Sequence, residues 1–254
     1  MAKPSPRDGA RAYRIISSLV GGLLRSVARF EYLGSENLPR SGGFIAASNH
    51  ATELDSLTFC YYLYYHGLLP RVLAKRALFN TPVVGWIMRV TQMIPVDRGC
   101  ADAARSLEAA AVDLARGDCV AIFPEGTLTR DPDLWPMEGK TGLARMALAA
   151  RVPVIPVAQW GAGAVLPRYS RRPRVLPPRK LIRFLAGPPV DLSDLYDREV
   201  DAEVLQEATS RVMDAITREV ATLRGLTPPK QRFDLRLHPE YRAKSTHYPP
   251  VERP

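Results

Sequence analysis

The chain has 254 residues, of which 46% are hydrophobic, enough apolar material for one domain with an ordinary core and too much for a disordered chain. Lys and Arg number 35 against 26 Asp and Glu, a formal net charge of +9 that calls for an anionic partner: nucleic acid, a phosphorylated molecule or an anionic membrane. Cys60, Cys100 and Cys119, with no C-x-x-C spacing, exclude a disulfide framework and a zinc knuckle and point to a reducing compartment.

The N-terminal segment is basic. Its longest apolar run, residues 15–24, is broken by Ser17, Ser18, Gly21 and Gly22 and falls short of the roughly 20 residues that span a bilayer. The same weak centre, with Arg25 behind it, argues against a cleaved signal sequence, although Lys3, Arg7, Arg11 and Arg14 precede it. At helical period Tyr13, Ile16, Val20, Leu23, Leu24 and Val27 form an apolar stripe, while Arg11, Arg14, Ser18, Arg25 and Arg29 form a polar one. An amphipathic basic helix of this kind either lies on anionic lipid or docks on its own domain, and its pattern alone supports both.

From residue 43 onward short apolar runs alternate with helical patterns. Strands are predicted at 44–47, 72–74, 93–96, 119–123, 154–158 and 181–185, and helices at 56–65, 82–90, 101–116, 141–150 and 199–223. This alternation predicts an α/β fold, a single mixed sheet covered by helices. Pro153 and Pro156 suit an edge strand or a strand start. Residues 166–183 carry Arg168, Arg171, Arg172, Arg174, Arg179, Lys180 and Arg183 with four prolines and no acid, the composition of an exposed basic loop. The stretch 227–254 mixes prolines and charges without apolar period and reads as an extended tail. The organisation is therefore an N-terminal amphipathic segment (1–32), an α/β domain (33–226) and the tail (227–254).

Three segments carry candidate chemistry. His50 leaves the strand predicted at 44–47, and Asp55 follows five residues later. In a regular helix that offset puts the two about 140° apart, so they meet only if His50 lies in the bend before the helix. Asp55 then accepts from Nδ1 of His50 and leaves Nε2 as a general base. Next, Val96-Asp97-Arg98-Gly99 ends a strand, where the planar fork of Arg98 can hold a phosphate. Last, Phe123-Pro124-Glu125-Gly126-Thr127 stops a strand in a turn with free N–H groups, and Arg130 and Lys140 add positive charge beyond it. Each also has a plain structural reading: a cap beside a surface histidine, an Asp-Arg pair closing a strand, an ordinary turn. His66, His238 and His247 have no carboxylate in a motif and read as surface or loop residues, and a Cys119–His50 thiol pair is a competing nucleophile.

Taken in order, Asn49-His50 with Asp55, then Val96-Asp97-Arg98-Gly99, then Phe123-Pro124-Glu125-Gly126-Thr127, then Val154-Ile155-Pro156-Val157 resemble the four blocks of the glycerolipid acyltransferase family, whose best-known members are lysophosphatidate acyltransferases. The likeness extends from Asn49 to Pro189. It implies acyl transfer from an acyl-CoA or acyl-carrier-protein thioester to a hydroxyl of a lysophospholipid, most readily 1-acyl-glycerol-3-phosphate, with no cofactor or metal. His50 would be the base and Asp55 its orienting partner; Asn49, Arg98, Glu125, Gly126, Thr127, Arg130 and Lys140 would serve the substrate. The resemblance also tips the N-terminal helix toward an anionic membrane surface, as a peripheral, monotopic protein of the cytoplasmic face.

Two departures stand out. Leu128 occupies the place where the family commonly has Arg, with Arg130 two positions later, so a different lysolipid acceptor is the alternative. Thr52 stands where Ser is usual between the His and the Asp and keeps the hydroxyl. From another class, a non-catalytic membrane- or nucleic-acid-binding protein would use the same charge, but the chain has no helix-turn-helix, RNA-recognition signature or cysteine finger.

Overall fold

The computed structural model describes residues 6–96 and 102–249. Its described residues form one seven-stranded sheet: β1 (Ala28–Leu33), β2 (Phe44–Ser48), β3 (Arg71–Lys75), β4 (Ile94–Val96), β5 (Cys119–Ile122), β6 (Val154–Trp160) and β7 (Lys180–Ala186), in the order β1-β7-β6-β2-β5-β3-β4. The ladders β2–β5, β2–β6, β3–β5, β3–β4 and β1–β7 are parallel, and β6–β7 is antiparallel, so the sheet is mixed as its alternating pattern predicts. Seven α-helices among the described residues accompany it: α1 (Pro6–Val27), α2 (Asp55–Tyr65), α3 (Arg76–Phe79), α4 (Pro82–Val90), α5 (Asp102–Ala115), α6 (Gly142–Ala150) and α7 (Ala202–Arg224).

Period-2 alternation in the central strands builds two cores. In β2, Ile45 and Ala47 face the core that α6 and α7 cover, while Phe44 and Ala46 face the one under α2. The long α7 presents Val204, Ala208, Val212, Ile216 and Val220 to the sheet at helical spacing. Asp201 caps its N-terminus through Val204 N–H at 2.8 Å, and Gly225 closes it at a positive φ of 63°. Because β2, β3 and β5 run in one direction, the segments that follow them emerge at one edge of the sheet, which is where ligands of open α/β sheets bind.

Several expectations are corrected. β1 lies within the stretch assigned to the N-terminal segment, yet it is an edge strand of the main sheet, half-burying Phe30 and Tyr32 while Arg29, Glu31 and Leu33 face out. Pro156 sits in the interior strand β6, not at an edge. Its carbonyl points toward the β7 side, accepting from Gly187 N–H, where the β6–β7 ladder has already ended, so the missing N–H takes no bond from the β2 ladder. In the basic loop, residues 171–179 are exposed as expected, but Arg168 is 5% exposed. His66 is half-buried among tyrosines, 3.2 Å from Ser35 Oγ, and that burial lowers its pKa.

Helix α1 has one side docked on the fold and another left exposed. Tyr13 and Leu24 are buried against the fold, and Gly21 lets the helix close on α2: a methyl there would stand 2.2 Å from the Tyr61 ring. Ile15, Leu19 and Leu23, on the opposite side, are 55%, 70% and 70% exposed. The neighbouring α4 leaves Val83 and Trp86 exposed as well. No helix of the described residues is long and apolar enough to cross a membrane.

Candidate active site

His50 lies in the bend between β2 and α2, the geometry its spacing from Asp55 requires. The Asp55 carboxylate turns back over this bend: Oδ2 accepts the N–H groups of Ala51 at 2.5 Å and Thr52 at 2.6 Å, and Oδ1 accepts the Thr52 hydroxyl at 3.2 Å. Three donors lock the carboxylate in place, and the retained hydroxyl of Thr52 is one of them. Nδ1 of His50 is 3.5 Å from Oδ2, long for a hydrogen bond but with no other partner, so the carboxylate is what it faces. The opposite face of the ring is not free to swing, because the imidazole stacks on Phe123 with centroids 4.1 Å apart.

The main chain of His50 is held by the turn after β5. Its N–H donates to Oε1 of Glu125 at 3.0 Å, its carbonyl accepts from Thr129 N–H at 2.7 Å, and Oε2 of Glu125 accepts from Met137 N–H at 3.1 Å. Glu125 is 2% exposed, and burial, against the pull of those two N–H donors, pushes its pKa up to about 8. Gly126 takes a positive φ of 65°, and the stem of Lys140 lies over it.

Beneath His50 lies a buried polar lattice. Asn49 donates to the carbonyl of Gln159 at 3.0 Å and accepts its N–H at 2.9 Å; the Gln159 side chain reaches Ser48 and the Asn49 carbonyl and accepts from Thr58. Asn49 thus pins the end of β2 to β6 and has neither amide end left over. Thr58 and Gln159 went unmarked in the sequence, where the one signal is a glutamine closing an otherwise apolar strand.

A cavity of about 570 Å³ opens beside His50 and runs under α1, between apolar side chains such as Ile16, Val20, Leu57, Ile87 and Met93. Exposed Lys75, Lys140 and Arg145 stand on its wall. Of the expected site residues, His50, Gly126 and Lys140 line this space; Asp55, Asn49 and Glu125 stand behind it, and Thr127 is half-buried in the turn. Arg130, expected at the substrate, is instead 6% exposed and turned away, its Nη1 donating to Tyr248 at 2.6 Å. Leu128 is buried apolar packing. Arg98 lies outside the described residues. Lys75 and Arg145 were missed, although a Lys-Arg pair at a strand exit marks the first of them.

The thiol alternative fails on position. Cys119 begins β5 opposite Phe44, at the end of β2 away from His50, and burial raises its pKa. Cys60 lines the cavity, but burial pushes its thiol up to about 12. Among the described residues no three His, Cys, Asp or Glu side chains gather as a metal site.

The sequence family described as Acyltransferase matches residues 29–160, more than half of the chain. The chain belongs to this acyltransferase family. It is 32% identical over 139 residues to a chloroplastic 1-acyl-sn-glycerol-3-phosphate acyltransferase of Brassica napus, and 34% identical over 128 residues to a 1-acyl-sn-glycerol-3-phosphate acyltransferase of Borreliella burgdorferi. These alignments take in 54% and 50% of this chain but 39% and 49% of those proteins, so the chain spans less than half the length of these two relatives. The crystal structure of the 1-acyl-sn-glycerophosphate (LPA) acyltransferase from Thermotoga maritima has the same fold, with a TM-score of 0.65 at 20% identity, covering 89% of this chain and 86% of that one.

Proposed function

We propose that this acyltransferase-family chain moves a fatty acyl group from an acyl thioester, acyl-CoA or acyl-carrier protein, to the free hydroxyl of 1-acyl-glycerol-3-phosphate. The observation that carries the proposal is the placement of His50 on the wall of a largely apolar cavity, with the Asp55 carboxylate against Nδ1. That leaves Nε2, on the other edge of the ring, as the nitrogen for substrate. His50 takes the hydroxyl proton as the acceptor oxygen attacks the thioester carbon; the new oxygen–carbon bond forms, the carbon–sulfur bond breaks, and the proton passes to the leaving thiolate. General-base help contributes roughly 10²- to 10⁴-fold, while holding both reactants in line contributes roughly 7–11 kcal/mol, so the cavity's shape matters more than the base.

In this scheme Lys75, Lys140 and Arg145 receive the acceptor phosphate, together with Arg98, in place of the buried Arg130. The apolar part of the cavity takes an acyl chain. The exposed ridge of Ile15, Leu19 and Leu23 with Val83 and Trp86 rests in the acyl boundary of an anionic, cytoplasm-facing membrane, with Arg11, Arg14 and Arg25 at the headgroups. Helix α1 would then be the membrane-associating segment, and the chain from β1 to residue 226 the catalytic domain.

The test is thiol release from acyl-CoA with a panel of lysolipid acceptors. Turnover with lysophosphatidate that is lost in His50→Ala supports the assignment; retained turnover in that variant refutes it. Preference for another lysolipid would redirect the acceptor assignment alone.

A further inference from the structure

Behind the catalytic turn, away from the cavity, lie two buried arginines and the C-terminal tail. The tail returns across the fold. Phe233 forms a parallel bridge with Met137, its carbonyl accepting from Glu138 N–H at 3.0 Å, and Phe233, Tyr241 and Met137 make a small core of their own. Farther along, the Tyr248 hydroxyl accepts from Arg130 Nη1 at 2.6 Å and from Ser245 N–H at 3.2 Å, and donates to the Ala243 carbonyl at 2.7 Å. That uses its one donor and both lone pairs. Arg168 lies over the same phenol, 4.6 Å from the ring centroid, and its Nη1 donates to the carbonyls of Thr129 and Asp131, on either side of Arg130, at 2.8 and 2.9 Å.

The segment gripped in this way is the one that holds both main-chain groups of His50: Glu125 and Met137 at one end of the clasp, Thr129 at the other. We propose that the tail is a positioning strap for His50, in which Tyr248, through Arg130, and Phe233, through Met137, hold residues 125–137 against the base. Its effect on rate rests on the reading of His50 as that base. Neither Tyr248 nor Arg130 lines the cavity, so the strap acts through the place of the imidazole and not through substrate contact. Misplacing a reacting group by 1 Å can cost about 100-fold, so a small release of the turn is enough to register.

The experiment compares Tyr248→Phe, Arg130→Met and the double variant in the full chain. Three quantities are read: kcat and KM by thiol release, the thermal midpoint, and the NMR signals of the His50 ring, assigned by their loss in His50→Asn. Tyr248→Phe removes the acceptor of a buried guanidinium and is expected to lower kcat about tenfold with both KM values within about twofold, while shifting the His50 ring signals and not those of His66. The double variant should lose no more than the worse single one, since the two side chains act as one link. His247→Ala, an exposed residue of the same tail, should match the native protein. Native kcat with unmoved His50 signals in Tyr248→Phe, or losses that multiply in the double variant, would overturn the strap. Should the native chain show no acyl transfer at all, the reading of His50 as base falls, and the ring signals still decide whether the tail positions it.

Discussion

Replacing Asp55 by Asn separates the electrostatic part of the site from its geometry. The carboxylate accepts two main-chain N–H groups on Oδ2 and one hydroxyl on Oδ1. An asparagine oxygen placed where Oδ2 now sits keeps both N–H bonds, and its NH2 faces the Thr52 hydroxyl, which can rotate to accept. The bend is therefore retained, and the thermal midpoint should move by only a few degrees. What disappears is a charge 3.5 Å from Nδ1 of the ring that becomes cationic as Nε2 takes the proton. At an effective dielectric of about 20 two unit charges at that distance interact by about 5 kcal/mol, and in bulk water by about 1 kcal/mol. The side chains of His50 and Asp55 are 15% and 3% exposed, which puts the pair nearer the first value. Allowing for partial charge transfer and the residual dipole of the amide, the transition state loses about 2–4 kcal/mol, a fall in kcat of about 30- to 1,000-fold with KM little changed. Thiol release under saturating acyl-CoA and lysophosphatidate measures it. A kcat within threefold of native in a folded variant, or a loss confined to KM, would refute the electrostatic account.

Glu125 makes stability depend on pH. Its carboxyl holds its proton up to about pH 8 in the fold and releases it in the usual carboxylate range when unfolded, so folding loses stability as pH rises between those limits. Glu125→Gln should flatten that decline in denaturant midpoints measured from pH 5 to 8; an unchanged slope would show that Glu125 is ionised in the fold. Gly126→Ala forces a side chain into the left-handed region at a cost of about 1–2 kcal/mol and brings a methyl 3.2 Å from the Lys140 stem, so melting should drop by a few degrees and the acceptor KM should rise. Native values of both would remove the turn and Lys140 from acceptor binding. Cys119→Ala should keep kcat within about twofold, since the thiol sits at the far end of its strand, and burst kinetics lost in this variant would restore the thiol mechanism.

Much was legible because it is local. The bend that brings Asp55 back to His50 spans five residues, two main-chain donors and the Thr52 hydroxyl, so the spacing contains it. The α/β class follows from alternating apolar periods, and the order of the four motif segments identifies the family. The parallel pairing of β2 and β5 then explains why the segments that follow them, with His50 and with Glu125, meet at one end of the sheet.

The rest depended on partners far apart in the chain. Asn49 is a plausible substrate ligand by its neighbours in sequence, yet its amide is spent on Gln159, 110 residues away. Arg130 reads as a free cation in the turn and is in fact paired with Tyr248, 118 residues on, in a tail whose composition carries no period. The stripe of α1 shows that one face is apolar, but only packing separates its buried Tyr13 and Leu24 from its exposed Leu23, and the exposed Ile15 and Leu19 lie outside it. The sequence by itself determined the class of fold, the family and the His50–Asp55 pair, since those are written in short-range spacing. The tertiary structure decided which polar side chains face the cavity and which are consumed in holding it, because a buried hydrogen-bonding group must find a partner wherever the fold brings one near.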